Sequence, residues 1–382
     1  MNKRLPSTGL DTWPTEEQDA LTSGRRDTVF TGYQETGRKS GPQAARRTRR
    51  RHRRRLAIVI STLGVVITVA LGFIVWTKVH EARTVLRHPA HPSTTLPVRP
   101  DSYIGVYQSG APDSYSGVTK FTTQTGIKPR LAVYYSGWFE PFKVTFAETA
   151  AAHGAVPLIQ INPNGISLAA IASGRYDGYL SSYAAAVRSY GRPVILGFGH
   201  EMNGDWYSWG HRHSSPAQFV AAWRHVVTLF RHEGAHNVTW LWTVNVVHTG
   251  NSIASPARWW PGNKYVTWVG LDGYYYQPSW KFAPLFGPTI AAVRELTRDP
   301  ILIAETSVSP TTNQPDKIAD LFAGIHLYGL LGFVWFDSVH KVDWRLNSPS
   351  AIAAFRRGAR AYQSLASNGL RQTGSSVNTA TG

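Results

Sequence analysis

Short apolar runs that alternate with amphipathic segments limit most strongly what this chain can fold into. Each run has five to seven residues and is rich in Val, Ile, Leu and aromatic residues, which is typical of buried strands. The eight predicted strands are residues 103–107, 131–135, 156–161, 193–198, 238–244, 266–271, 300–304 and 331–336. Amphipathic segments predict helices at residues 142–153, 176–190, 216–232, 282–297 and 315–328.

Buried strands separated by helices form a parallel sheet that helices cover on both faces. Eight strand–helix units within about 260 residues predict an α/β fold of the (β/α)8 TIM-barrel type. An open, doubly wound sheet is the alternative, but no glycine-rich GxGxxG loop follows the first predicted strand. The barrel is therefore expected at residues 101–363, with a flexible tail at 364–382.

The residues before the predicted barrel divide into three parts. Residues 1–55 are polar and rich in arginine, and they predict a disordered tail because they cannot bury enough apolar surface to fold. Residues 56–77 carry no charge and are long enough to cross the hydrocarbon core of a bilayer as one helix. Residues 78–100 are rich in proline and predict a semi-extended spacer between the membrane and the barrel.

A basic run at residues 46–55 lies directly before the apolar segment. Because positive residues tend to stay in the cytoplasm, this run predicts a cytoplasmic N-terminus and an extracellular barrel. A cleaved signal peptide is the alternative, although its apolar core usually has about 7–15 residues behind a short basic region. About half of the net charge of +17 lies in residues 1–55, where it predicts contact with anionic lipid rather than nucleic acid.

Polar and aromatic residues follow the predicted strands at the ends where a barrel carries its chemistry. Glu201 and Glu305 each follow a buried run, and a carboxylate in that position is costly unless it has a function or a partner. Retaining glycosidases place two such groups about 5–5.5 Å apart, one as acid/base and one as nucleophile. The residues expected to bind the sugar are His200, Asn203, Trp206, Trp209, Asn245, Asp272, Tyr274 and Trp335.

Other kinds of site find little support in the sequence. No P-loop and no Ser-His-Asp pattern is present, and the histidines between residues 211 and 236 match no zinc signature. We therefore predict no metal and no cofactor. The chain has no cysteine, so the exported part is expected to hold together through its core alone.

Three segments, in this order, resemble glycoside hydrolase family 26. They are GHEMNGDWYSWG at residues 199–210, WVGLDGY at 268–274 and ILIAETS at 301–307. The first string is highly specific, and the likeness covers residues 101–362. The resemblance implies a retaining barrel glycosidase, in a family of mostly β-mannanases with some β-1,3-xylanases and mixed-linkage β-glucanases.

The resemblance also implies roles for single residues. Glu201 would be the general acid/base and Glu305 the nucleophile, with Tyr274 hydrogen-bonded to the nucleophile. His200 would border the subsite where the bond is cleaved. The aromatic platforms for the sugar would be Trp206 and Trp335.

Two segments depart from the pattern of many family members. Residues 197–199 are Gly-Phe-Gly where Arg-Pro-Phe is common, and residues 161–163 are Ile-Asn-Pro where Trp-Glu-Pro is common. These differences change the walls of the cleft and not its carboxylates, so they bear on the choice of sugar.

Together the sequence features predict a membrane-anchored, extracellular, retaining endo-β-glycanase that acts on a β-mannan or a related β-1,3- or β-1,4-glycan. The alternative is a surface glycan-binding protein that kept the barrel but lost turnover. The presence of both carboxylates with His200 and Tyr274 favours the enzyme, because a binding protein needs no nucleophile. The expected partners are a polysaccharide and, through residues 56–77, the lipid bilayer. The sequence leaves the oligomeric state open.

Overall fold

Eight parallel strands close into a barrel in the computed structural model, each pairing with the next and β8 pairing with β1. The structure describes residues 96–247 and 253–375, with side chains up to residue 362. The strands are β1 (Tyr103–Tyr107), β2 (Leu131–Gly137), β3 (Val156–Asn162), β4 (Val194–Phe198), β5 (Val238–Asn245), β6 (Trp268–Asp272), β7 (Ile301–Thr306) and β8 (Gly332–Phe336). This order confirms the predicted (β/α)8 barrel, and the strand ends lie within two residues of those expected.

Helices surround the barrel, and a two-stranded hairpin of β9 (Val339–His340) and β10 (Val342–Asp343) follows β8. The helices are α1 (Ser116–Thr125), α2 (Val144–Ala152), α3 (Leu168–Ala172), α4 (Asp177–Tyr190), α5 (Pro216–His232), α6 (Phe282–Arg294), α7 (Gln314–Leu327) and α8 (Pro349–Ser375). The sequence did not predict α1, α3 and α8. Helix α1 is rich in threonine and buries only Val118, Phe121 and Thr125, so its apolar periodicity is weak. Helix α8 extends past residue 363, where the barrel domain was expected to end.

The predicted tail at residues 1–55 and the apolar segment at 56–77 lie outside the described residues, as does the predicted spacer up to residue 95. Between residues 96 and 247 and between 253 and 375, none of the helices combines the length and the apolarity needed to span a bilayer.

Helix α5 begins where the loop after β4 ends, and its first turn fixes that boundary. The Ser215 hydroxyl accepts a hydrogen bond from the backbone N–H of Gln218 at 3.2 Å, and the Gln218 side chain accepts one from the backbone N–H of Ser215 at 3.0 Å. Pro216 occupies the first helical position, where its missing N–H costs nothing. This reciprocal cap anchors the end of the loop that carries Glu201.

The barrel interior is apolar at its base and polar at its mouth. Across the middle of the barrel, Nε2 of Gln160 on β3 donates to Oγ1 of Thr243 on β5 at 3.0 Å. The apolar layer below this bond keeps water out from beneath and supports the polar residues above it. The side chains of the lower layer include Tyr103, Leu131, Val133, Leu158, Ile195, Leu241, Trp268, Leu302 and Val334.

Two glycines make room for the Gln160–Thr243 bond. A Cβ atom at Gly197 would lie 1.8 Å from Oε1 of Gln160, and one at Gly270 would lie 2.4 Å from Oγ1 of Thr243. Neither position can take a side chain unless the layer above the apolar base shifts.

We expect Gly197→Ala to lower the free energy of unfolding by about 1–3 kcal/mol, because the added methyl group overpacks the interior. Gly178→Ala in the first turn of α4 is the matched control, since a Cβ atom there meets nothing within 4 Å. It should leave stability unchanged or raise it by about 0.5 kcal/mol. Urea denaturation of both variants checks this, and equal stability of the two would contradict the packing argument.

Candidate active site

Glu201 occupies a sharp turn directly after β4. The backbone φ angles of Gly199 and Glu201 are 56° and 53°, in the left-handed region that a glutamate seldom adopts. Two backbone bonds hold the turn: Glu201 N–H donates to the carbonyl of Thr243 at 3.0 Å, and Gly204 N–H donates to the carbonyl of Glu201 at 2.9 Å. Such strain persists only where the surroundings fix it, and it is common at functional sites.

The side chain of Glu201 is buried over the barrel and has a donor at each oxygen. Nδ2 of Asn245 donates to Oε1 at 2.6 Å, and Nε1 of Trp206 donates to Oε2 at 2.8 Å. Burial, reinforced by the negative charge of Glu305, raises the pKa of Glu201 to about 8. Glu201 therefore holds a proton at neutral pH in a fixed orientation, as a general acid must.

Glu305 points into the barrel because β7 contains a bulge. Leu271 on β6 pairs with Ile303, and the next residue, Asp272, pairs with Glu305, so that Ala304 has no partner on β6. The extra residue breaks the alternation of the strand, and Glu305 faces the interior like Ala304 before it. The bulge thus aims this carboxylate at the mouth of the barrel.

Two tyrosine hydroxyls donate to Glu305. The hydroxyl of Tyr274 donates to Oε2 at 2.7 Å, as the family resemblance implied, and the hydroxyl of Tyr135 donates to Oε1. Burial raises the pKa of Glu305, and the two hydrogen bonds oppose this rise because they stabilise the ionised form. Glu201 also has two donors, but the charge of Glu305 adds to the rise in the pKa of Glu201, so the pair holds its proton on Glu201 and its negative charge on Glu305.

Sequence analysis missed Tyr135, although the pattern of β2 contains the signal. Leu131 and Val133 face the barrel interior, so the two-residue period of a strand places Tyr135 on the same face at the C-terminal end. Tyr134, next to it, packs on the helix side. A strand-by-strand count of inward positions would have found this second hydroxyl.

His200 is a neutral imidazole beside Glu305. Its Nδ1 lies 3.0 Å from Oδ1 of Asn162, and its Nε2 lies 3.1 Å from the hydroxyl of Tyr207. Because the amide oxygen can only accept, Nδ1 carries the proton and Nε2 accepts from Tyr207. Burial lowers the pKa of His200 to about 3, so the ring, 4.0 Å from Oε1 of Glu305, adds no positive charge.

Asp272 is the third carboxyl group of the cluster. One oxygen each from Glu201, Asp272 and Glu305 lies within 4.8 Å of the other two. Asp272 is fully buried, and neither of its oxygens has a hydrogen-bond partner among the described residues. Burial, with Glu305 and Glu201 nearby, raises its pKa well above the usual range. Both oxygens are closed to solvent, so a sugar hydroxyl could reach them only if neighbouring side chains moved.

The same three oxygens have the spacing of a cation site. The hydrogen bonds already described occupy both oxygens of Glu201 and both of Glu305, which leaves only those of Asp272 free. A cation would have to compete with four donors for this cluster. The arrangement therefore fits partly protonated carboxyl groups better than a bound metal.

Two residues expected to bind the sugar lie behind the site instead. Trp209 is fully buried, stacks on Tyr207 with ring centroids 4.3 Å apart, and donates from Nε1 to the carbonyl of His200 at 2.8 Å. Asn203 is also buried, and its side chain exchanges hydrogen bonds of 2.8 and 2.9 Å with the backbone of Asn245. Both residues position their neighbours, so their assignment as sugar ligands was wrong.

The assignment of Trp335 as a sugar platform was also wrong. Its ring has 0% exposure and lies 5.5 Å from the ring of Phe355 on α8, on the outer face of β8. Val334 faces the barrel interior, so the alternation of the strand sends Trp335 outward and Phe336 to the mouth. Phe336 stacks on Tyr107 with ring centroids 4.7 Å apart and meets the edge of Tyr274 at 5.9 Å.

A polar groove of about 620 Å³ lies where β1 and β8 end. Asp337 lines it, and burial raises the pKa of this carboxyl to about 6. Oδ1 of Asp337 accepts from the backbone N–H of Leu346 at 2.5 Å, and Oδ2 accepts from the side chain of Gln108. β8 lies across the barrel from β4, so the groove opens on the side away from Glu201. Other lining residues include Thr119, Lys120, Gln124, Arg345 and Asn347.

Two buried carboxylates that converge at the mouth of a (β/α)8 barrel, one of them holding a proton, are an arrangement that glycoside hydrolases can use. Residues 174–297 match the family model described as Glycosyl hydrolase family 26. The matched range includes Glu201 and Asp272 and ends before Glu305. These 124 of the 382 residues of the chain are similar to that family.

Relatives with related names match the same chain. Endoglucanase H of Acetivibrio thermocellus is 31% identical over 272 residues, a match covering 67% of this chain and 30% of that protein. Beta-1,3-xylanase TXYA of a Vibrio species is 29% identical over 122 residues, or 32% of this chain and 25% of that protein. The chain thus spans less than a third of either relative.

Among solved structures, a modular endo-β-1,4-mannanase from Cellulomonas fimi has a TM-score of 0.55 at 18% identity. The match covers 69% of this chain and 71% of that one. At this identity the likeness supports the barrel fold.

Removing the charge of Glu305 should lower the pKa of Glu201, because the ionised form of Glu201 then faces no like charge. We expect the Glu201 carboxyl to titrate near pH 8 in the unmodified protein and at lower pH in Glu305→Gln. Carbon-13 NMR of labelled glutamate carboxyls measures both values. Glu148→Gln, an exposed change on α2, is the control and should have no effect. A Glu201 pKa that does not fall in Glu305→Gln would refute the electrostatic coupling.

Proposed function

We propose that this protein is an endo-acting β-glycanase that hydrolyses a β-linked polysaccharide with retention of configuration. The observation that carries the proposal is the buried pair of Glu201 and Glu305. One of them has a pKa of about 8, and the other receives two hydroxyl donors. The match of residues 174–297 to a glycoside hydrolase family model supports the same reaction class.

In the first step, Glu201 gives its proton to the glycosidic oxygen while an oxygen of Glu305 attacks the anomeric carbon from the opposite face. The bond to the leaving sugar breaks with the electron pair going to the protonated oxygen, and a glycosyl ester forms on Glu305. Asn245 and Trp206 keep the Glu201 carboxyl in place for this transfer. Tyr135 and Tyr274 hold Glu305 ionised and oriented until it reacts.

In the second step, the ionised Glu201 takes a proton from water, and the water oxygen attacks the anomeric carbon of the ester. Glu305 leaves as a carboxylate and returns to its two tyrosine donors. The ester no longer repels Glu201, so Glu201 can serve as a base after the first step. Two inversions give a product with the original β configuration.

The spacing of the carboxyl groups supports retention. Inverting glycosidases separate them by about 6.5–9.5 Å to admit a water molecule, whereas retaining enzymes hold them about 5–5.5 Å apart. Oxygens of Glu201 and Glu305 lie within 4.8 Å of each other. This distance leaves too little room for a water between the carboxylate and the sugar.

The proposed substrate is a glucan, mannan or xylan with β-1,4 or β-1,3 linkages, the polymer types in the names of its relatives and fold neighbour. The polar groove beside β1 and β8 supports an extended substrate, because its amides, hydroxyls and cations can bind the hydroxyls of further sugar units. An enzyme that cuts within a polymer needs binding surface on both sides of the cleaved bond.

We expect residues 96–382 to hydrolyse at least one of four polymers: β-1,4-mannan, β-1,3-xylan, mixed-linkage β-glucan and cellulose. Glu305→Ala should lose activity by about 10⁴-fold or more, because the whole double-displacement route depends on the nucleophile. Azide should restore part of this activity and give an α-glycosyl azide, since only one inversion then occurs. NMR of the first product of the unmodified protein should show the β anomer.

Trp335→Phe is the control for this series, because it changes a large aromatic residue that lies outside the cleft. It should leave the hydrolysis of polymer nearly unchanged. An α anomer as the first product would rule out double displacement. Binding of a polymer without any hydrolysis would favour a glycan-binding protein instead.

We also propose that residues 56–77 anchor the protein in the cell membrane, with the N-terminus in the cytoplasm and the barrel outside. The uncharged apolar segment and the basic run directly before it support this orientation.

Protease added to intact cells that express the full chain should remove the barrel and leave a short protected N-terminal fragment, detected with an N-terminal tag. Lysed cells serve as the control and should lose both parts. If the barrel survives until the cells are lysed, the orientation is the opposite of the one proposed. A barrel released into the medium, beginning near residue 78, would instead identify a cleaved signal peptide.

A further inference from the structure

Phe139, in the loop between β2 and α2, is an aromatic residue in an unusual state. Its φ angle is 72°, in the left-handed region, and 60% of its surface is exposed. A bulky residue with this backbone conformation is rare. An exposed phenyl ring is also unfavourable in water. Both the backbone conformation and the exposure of the side chain therefore make phenylalanine an unfavourable residue at this position.

The turn around Phe139 explains the backbone conformation. The backbone N–H of Glu140 donates to the carbonyl of Gly137 at 3.2 Å and closes a four-residue turn. Phe139 is the third residue of this turn, where a positive φ angle normally selects glycine or asparagine. Glycine would relieve the strain and remove the exposed ring together.

Neighbouring aromatic residues fix the turn and leave one side of Phe139 uncovered. The ring of Phe139 meets the edges of Tyr176 and Tyr179 at centroid distances of 5.8 and 5.5 Å. Tyr179 also donates from its hydroxyl to the carbonyl of Glu140 at 3.1 Å. Trp138 is buried beneath, 5.0 Å from the ring of Tyr179. The ring is therefore held in one place with most of its surface facing solvent.

Phe139 lies on the same end of the barrel as the carboxylates. It comes four residues after Tyr135, whose hydroxyl donates to Glu305, and four residues of chain span at most about 14 Å. Trp138 also contacts the ring of Phe198, the last residue of β4, at 6.1 Å. A polymer bound at Glu305 could reach this ring within a few sugar units.

We propose that Phe139 is a stacking platform for a pyranose ring of the bound polysaccharide, in a subsite distant from the cleaved bond. The flat phenyl face fits the apolar C–H face of such a sugar, and a binding site commonly combines such a face with nearby polar groups. The inference rests on the proposed function, because the ligand is the same glycan chain.

The surroundings argue against two other roles. A packing role would bury the ring. Among the described residues, Phe139 is instead the only aromatic residue in the set of exposed large apolar side chains. A protein interface would need a contiguous apolar patch, and apart from Val144 at the start of α2 the other exposed large apolar residues come from elements away from this loop. These are Val98, Leu327 and Val339.

The test compares Phe139→Gly and Phe139→Trp with Leu327→Ala, which removes an exposed apolar side chain at the far end of α7. All changes are made in residues 96–382, both alone and together with Glu305→Ala so that polymer is not consumed. Affinity electrophoresis in gels containing each of the four polymers measures binding. Thermal unfolding measures stability, and kcat/KM is compared on polymer and on an aryl glycoside.

We expect Phe139→Gly to unfold at the same or a higher temperature, yet to bind the preferred polymer about fivefold to tenfold more weakly. Its kcat/KM should fall on polymer and stay unchanged on the aryl glycoside, which is too short to reach the ring. Phe139→Trp should retain binding, and Leu327→Ala should match the unmodified protein.

Three results would overturn the inference: unchanged polymer binding in Phe139→Gly, a clear fall in its unfolding temperature, or equal losses on polymer and aryl glycoside. Lack of retardation of the parent protein by all four polymers would overturn it as well. Failure of the proposed hydrolysis is a separate result, because the electrophoresis of the Glu305→Ala series detects binding without turnover.

Discussion

Three carboxyl groups with oxygens within 4.8 Å of one another cannot all be ionised in a site closed to water. The rest of the active site depends on how the protein resolves this repulsion. Glu305 receives two tyrosine hydroxyls, which favour its anion, while burial and the neighbouring charge keep a proton on Glu201. Each glutamate receives two donors, so the charge of Glu305, which raises the pKa of Glu201, separates the proposed acid from the proposed nucleophile.

Two irregularities of the backbone bring these groups together. A left-handed turn lifts Glu201 over the end of β4, and a bulge turns Glu305 inward from β7. The layer below them is regular and tightly filled, since Gly197 and Gly270 leave room only for the Gln160–Thr243 bond. The irregular backbone therefore lies at the mouth of the barrel, where it orients Glu201 and Glu305, above a regularly packed interior.

The sequence was enough to predict the strands and both glutamates, because apolar runs end abruptly in lone carboxylates. It was not enough for residues whose role depends on which face of a strand they occupy. Trp335 and Phe336 are both aromatic, and only the register of β8 shows that Phe336 faces the mouth. The contact of Tyr135 with Glu305 was not predicted for the same reason. Trp209 and Asn203 were assigned by their closeness in sequence to Glu201, yet their side chains support the loop from behind.

The bulge in β7 also determines which residues at the end of that strand face the barrel interior. With Ala304 present, an even pairing of β7 with β6 would turn the carboxylate of Glu305 toward the helices; the bulge takes up this one residue and returns Glu305 to the mouth, opposite Asp272. Loss of Ala304 together with the bulge would keep Glu305 opposite Asp272, whereas one further residue before Glu305 would turn its carboxylate outward unless a second bulge took that residue up. In a related barrel, the strand residue opposite Asp272 would therefore identify the matching carboxylate better than a count of residues along β7.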